Sequence, residues 1–142
     1  MKKLKMIVAA SALFLAAGAA SADSIAVITS VDGKGIGITK DEIANIYLGN
    51  SSTYGDGVQG QPVDHADGAQ VRKKFFKTML DKSEQDFDRH WSTRRFSGRG
   101  KPPRQLGSDA EVKQWVSSNP GSIGYINGKS MDKSVKLLLI IP

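Results

Sequence analysis

The stretch "VDHADGAQVRKKFF", residues 63–76, changes periodicity in its middle, and that change decides how the chain folds. Up to Val63 the run from Val58 is strand-like. From about Gly68 to Leu80 the apolar residues Val71, Phe75 and Met79 recur every four positions, which predicts a helix. Arg72, Lys73, Lys74 and Lys77 fall between them and read as a basic, solvated face. A strand running through a short glycine-containing turn into a helix is the unit from which α/β structures are built.

The same alternation continues outward. Three segments begin with a hydroxyl residue followed three positions later by an acid, the pairing that satisfies free N–H groups at a helix start: Thr39 with Glu42, Ser83 with Asp86, and Ser108 with Glu111. Each leads into apolar residues at helical spacing: Ile43, Ile46 and Tyr47; Phe87 and Trp91; Val112, Trp115 and Val116. Gly49 and the Asn119-Pro120-Gly121 sequence are natural stops. Further strands are expected at 25–29, 122–126 and 135–141, the last so continuously apolar that both of its faces should be covered. The order is strand, helix, strand, three helices, strand, strand, an α/β layer structure without internal repeats.

Lys2, Lys3 and Lys5 precede an apolar run, Met6 to Ala17, and the stretch closes on Ala20-Ser21-Ala22. This is the pattern of a cleavable export signal over residues 1–22, with the working domain at 23–142. The apolar core is shorter than the roughly 20 residues that a membrane span needs. Loss of those three lysines halves the formal excess of +6, so charge alone does not argue for a nucleic-acid partner. No cysteine is present, so packing must hold the domain together without disulfides, and no lipidated cysteine anchors it. A soluble periplasmic protein is expected.

Motifs for chemistry are weak. "GKGIG", residues 33–37, lacks the dinucleotide-binding spacing, and "GYINGKS", 124–130, has one residue too few between its glycines for a phosphate loop and leads to a strand. His65 and His90 are the only histidines, no two ligands fall at metal-binding spacing, and no G-x-S-x-G elbow offers a serine nucleophile. Neither an enzyme nor a cofactor is expected.

The stretch "RRFSGRGKPPRQ", residues 94–105, holds five cations and no acid. Arg94 and Arg95 suit the C-terminal end of a helix that opens with Glu84, Asp86 and Asp88. Phe96 reads as core, and Gly98, Gly100 and Pro102-Pro103 as a stiff connection. Arg99, Lys101 and Arg104 remain as a candidate basic loop. Nucleic-acid modules couple such charge to exposed aromatics, and Trp91 and Phe96 both fall at core-like positions, so nucleic acid is not an expected partner.

Four stretches taken in order, "ITKDEIANIYLGN" at 38–50, "VDHADGAQVRKKFF" at 63–76, "WSTRRFSGRGKPP" at 91–103 and "NPGSIGYI" at 119–126, resemble the periplasmic phosphate-binding proteins of ABC transporters, and specifically their short single-lobe relatives. The resemblance implies one lobe of a type 2 periplasmic binding fold, a mixed sheet flanked by about four helices. It also implies a phosphate-binding-like, substrate-binding role, with inorganic phosphate or a similar anion as ligand. The family's anion loop reads Arg-Ser-Asp-Gly-Ser-Gly-Thr, and the matching positions here are His65, Ala66, Asp67, Gly68, Ala69, Gln70 and Val71. Asp67 and Gly68 are kept, while the arginine and the hydroxyls are replaced. The implied anion site is therefore His65, Asp67, Gly68 and Arg72, aided by the loop of Arg99, Lys101 and Arg104, and each lost donor to a charged ligand removes roughly 1.5–3 kcal/mol. One lobe cannot enclose a ligand, so a second chain or a homodimer would complete the cleft. The alternative is a periplasmic accessory or interaction protein on the same fold that has lost anion binding.

Overall fold

The structure, a computed structural model, describes residues 23–142; the expected export signal at 1–22 lies outside the described residues. A five-stranded mixed sheet has the order β5-β4-β6-β1-β7, where β1 is Ile25–Ser30, β4 Gln61–His65, β5 Arg104–Leu106, β6 Ser122–Asn127 and β7 Val135–Ile141. β4 pairs in parallel with β5 and β6, and β1 runs antiparallel to β6 and β7. β2, Thr53–Tyr54, and β3, Val58–Gln59, form a separate small hairpin. The expected strand at 58–63 is thus two strands, broken at Gly60. There a Cβ would lie 2.6 Å from Ile123 Cδ1.

Alternation along β1 divides the core. Ile25 and Val27 face the larger layer with α1 (Lys40–Tyr47), α2 (Gln70–Phe75) and α3 (Glu84–Phe96), while Ala26 and Ile28 face α4 (Asp109–Ser118). Four helices therefore cover two faces of one sheet, as expected. All three hydroxyl starts operate: Thr39 makes a reciprocal capping box with Glu42, Ser83 accepts from Asp86 N–H, and Ser108 accepts from Glu111 N–H. α2 continues as a π-helical turn, Phe76–Leu80, that ends at Asp81 with φ 51°.

Three expectations need correction. β7 is an edge strand, with Leu137 and Ile140 partly exposed, and the strands covered on both faces are β1 and β6. Phe96 is 98% exposed, because α3 turns its last residue outward once Trp91 has entered the core. Arg72 is buried with Phe76 and Leu80 in a second inward row beside Val71, Phe75 and Met79; only Lys73 and Lys77 of that basic run stand fully exposed. β2 and β5 were not expected at all, being two and three residues long.

Candidate functional site

β4, β5 and β6 all deliver their carboxyl ends to one edge of the sheet, the place where open α/β sheets collect polar groups. β4 ends in Asp64 and His65, the turn Ala66–Ala69 follows, and α2 brings Arg72 back over the strand. Asp64 is 1% exposed. Its Oδ1 accepts from the His65 N–H at 2.8 Å and from the Tyr125 hydroxyl, and its Oδ2 accepts from Arg72 Nε at 3.0 Å.

Arg72, also 1% exposed, is surrounded. Besides Asp64 it donates to Glu84 Oε1 at 2.9 Å, and its nitrogens lie 3.2 Å from Asp67 Oδ1 and 3.8 Å from Asp88 Oδ1. Its plane lies over the rings of Phe76 and Phe87, at 4.6 and 5.6 Å. Four carboxylates thus face one guanidinium, and a further anion arriving here meets surplus negative charge.

The ionisation of this cluster follows from its surroundings. Burial is the largest influence on Asp64 and holds its pKa above the ordinary aspartate value, against the opposing pull of the Tyr125 hydroxyl and Arg72. Partial burial also pushes Glu84 up, but the hydrogen bonds from Arg72 and the Gly68 N–H outweigh it, and Glu84 lies below its ordinary value. Burial and the Asp64 charge raise Tyr125 far above the usual phenol, so it stays protonated and donates.

His65 faces elsewhere. Its Nε2 lies 2.7 Å from the Tyr125 carbonyl, and since a carbonyl only accepts, Nε2 carries the hydrogen. The same nitrogen is 3.6 Å from Asp109 Oδ1. Asp109 Oδ2 in turn accepts from the Asn127 N–H at 3.2 Å, Asn127 Nδ2 at 3.0 Å and Ser130 Oγ at 2.6 Å. Of the four residues expected at the anion site, Asp67 and Arg72 meet directly, Gly68 adopts φ 82° beside them, and His65 belongs to the neighbouring Tyr125–Asp109 network.

Three backbone donors at this edge are occupied by the chain's own acids. Gly68 N–H donates to Glu84 at 2.9 Å, Gly107 N–H to Glu111 at 2.6 Å, and Asn127 N–H to Asp109. Sequence reading missed Asp64, Glu84, Asp88, Asp109 and Tyr125 as site residues. Glu84 and Asp88 have an adequate local explanation as helix-start acids, and nothing local distinguishes Asp64 or Tyr125 from other strand residues. Among the described residues no cluster of three or more acid or histidine side chains is placed to hold a metal ion.

The basic loop lies at the opposite end of the strands. Arg99, Lys101 and Arg104 border a groove of about 750 Å³ beside the amino ends of β4 and β5. Arg104 also stacks on Trp115, 4.3 Å from its ring centre. Trp91, Pro102 and Pro103 separate this groove from a cleft of about 380 Å³ that opens onto Asp64, Asp67, Arg72 and Asp88. No helix among the described residues is long and apolar enough to cross a membrane.

No family model matches the sequence, and no curated protein does. Solved structures do. An ABC-type phosphate transport receptor from Vibrio cholerae superposes with TM-score 0.64 at 20% identity, covering 82% of this chain and 45% of that one. PstS from Borrelia burgdorferi gives 0.59 at 20%, with 82% and 46% covered. A putative phosphate ABC transporter substrate-binding protein with bound phosphate from Clostridium perfringens gives 0.63 at 21%, with 82% and 44% covered. The chain spans less than half the length of each of these structures. Its fold is that of a single lobe of the phosphate ABC transporter substrate-binding proteins.

Proposed function

We propose that this protein is an exported, periplasmic substrate-binding-like module of the phosphate-transport class that works by contacting another polypeptide. Just before its helix entrance, Glu84 takes the Gly68 N–H, and Asp67 and Glu84 lie against Arg72, where a free anion would sit. The observation that carries this reading is donor occupancy: the N–H groups of Gly68, Gly107 and Asn127 are each taken by an internal acid, and Arg72 faces four carboxylates. Such N–H groups beside a cation are what binds an anion at a helix entrance. Phosphate would have to displace a tethered carboxylate and then sit against Asp67 and Asp88. The short span of the chain relative to its structural neighbours supports a role in which a second chain, or a second copy, supplies the missing wall. The role is one of binding and not of catalysis.

Calorimetry on the exported chain at low salt tests this. Millimolar phosphate and sulfate should give no binding heat, and the protein should run above monomer mass or retain a partner on purification. A dissociation constant for phosphate in the micromolar range or tighter would sink the reading.

A second reading is weak binding of phosphate or a similar anion by His65, Asp67, Gly68 and Arg72, without the basic loop, which lies at the other end of the strands. Likeness to a Clostridium perfringens protein solved with bound phosphate supports it. It requires phosphate heat that disappears when the Asp67–Gly68 turn is altered.

A further inference from the structure

The cations of residues 94–104 lack acid partners. Among the described residues Arg72, Arg89 and Lys113 pair with acids, whereas Arg94, Arg95, Arg99, Lys101 and Arg104 have no carboxylate partner. Arg94 donates to the Gly49 carbonyl at 2.8 Å, and its Nε is buried without any partner. Gly49 itself is held tightly: a Cβ there would lie 2.5 Å from the Trp91 ring. A cationic base thus underlies the groove where the Gly49 loop meets α3.

The groove above it carries positive charge and no negative charge. Its wall includes Arg99, Lys101 and Arg104 together with the amides of Asn50 and Gln61, and no acid borders it. Pro102 and Pro103 add an apolar side. Asp64, Asp67 and Asp88, which face Arg72, lie across the Trp91–Pro102–Pro103 ridge, in the neighbouring cleft. Low-dielectric walls lined by one sign of charge concentrate the opposite sign.

Size separates the possible occupants. A water takes up roughly 30 Å³, so a groove of about 750 Å³ would leave a lone inorganic anion loosely surrounded by solvent. That volume is typical of pockets that enclose ligands with many heavy atoms. An apolar wall beside separated cations suits a chain that offers both stems and carboxylates.

We propose that this groove binds an extended acidic segment of a partner polypeptide. Arg99 and Lys101 take its carboxylates, and Pro102 with Pro103 takes its methylene stems. The proposal rests on the interaction reading above and assigns the surface and the partner's chemistry.

Fluorescence anisotropy of a labelled hexaglutamate peptide, titrated with the exported chain at low salt, tests it. Binding should weaken about tenfold or more in the double variant Arg99→Glu with Lys101→Glu. It should persist in Lys73→Glu with Lys77→Glu, which makes the same charge change on the exposed side of α2. Equal losses in both variants would reduce the effect to net charge and overturn the proposal. So would absence of binding by the unaltered chain, or displacement of the peptide by millimolar inorganic phosphate at matched ionic strength. If a partner still co-purifies with the Arg99→Glu, Lys101→Glu protein in full yield, the interaction reading survives and this groove assignment fails.

Discussion

Arg72 keeps a full charge in the interior because Asp64 and Glu84 hold it by charge-assisted hydrogen bonds at 3.0 and 2.9 Å. Removing one partner of such a pair leaves the other charge buried and unpaired. Arg72→Met should therefore lower unfolding free energy by about 3–5 kcal/mol, read from urea denaturation. The pH dependence follows from signs. Glu84 has a lowered folded pKa, so its stabilisation is present above the ordinary value of 4.5 and is lost as pH falls through the folded value. Asp64 has a raised folded pKa and acts in the opposite sense, its contribution being fully present below the unfolded value and lost as pH rises through the folded one. Glu84→Gln should accordingly flatten the acid limb of stability below pH 4.5, seen as urea midpoints that converge with those of the unaltered chain as pH falls. Sequence reading placed Arg72 on a solvated face because four cations within six positions look alike. What singles it out is Asp64, eight residues earlier, and Glu84, twelve later, and both meet it only after α2 folds over β4.

Elements that end or begin by local chemistry were legible. Thr39, Ser83 and Ser108 each cap the helix expected of them. Thr39→Ala should cost about 1 kcal/mol in a thermal melt followed by circular dichroism. What sequence could not supply is how closely elements approach. Gly124 on β6 lies under α4, where a Cβ would be 2.7 Å from Val112 Cγ1, 3.1 Å from Val63 Cγ2 and 3.2 Å from Val116 Cγ2. Gly124→Val should destabilise by about 1–3 kcal/mol through overpacking, and a urea midpoint equal to that of the parent chain would contradict this close packing. The π-helical turn was illegible for a similar reason: Phe76, Met79 and Leu80 are all buried against neighbours, and that demand, absent from helical spacing alone, accompanies the widened turn.

Across the whole molecule the two sheet edges are treated differently. β5 is three residues long, follows Pro102-Pro103 and carries Arg104, devices that block further pairing. β7 is seven residues long, and its one charge, Lys136, reaches the Gly33 carbonyl at 2.9 Å. Leu137 and Ile140 stand partly exposed along it. An open apolar edge of this kind pairs readily with another strand. Residues 23–142 should show concentration-dependent mass in sedimentation, and Ile140→Lys should shift it toward monomer; unchanged mass in that variant would rule out this edge. The sequence alone determined the α/β class, the number of helices and the starts of α1, α3 and α4, because capping and side-chain periodicity act within about ten residues; α2 begins two residues after the Gly68 at which helical spacing started it. Tertiary structure alone decided that β1 and β6, and not β7, are the covered strands, that Arg72 faces inward and that His65 joins Asp109. These outcomes depend on pairings such as Ile25 with Asn127, which bring together residues whose local sequence carries no information about one another.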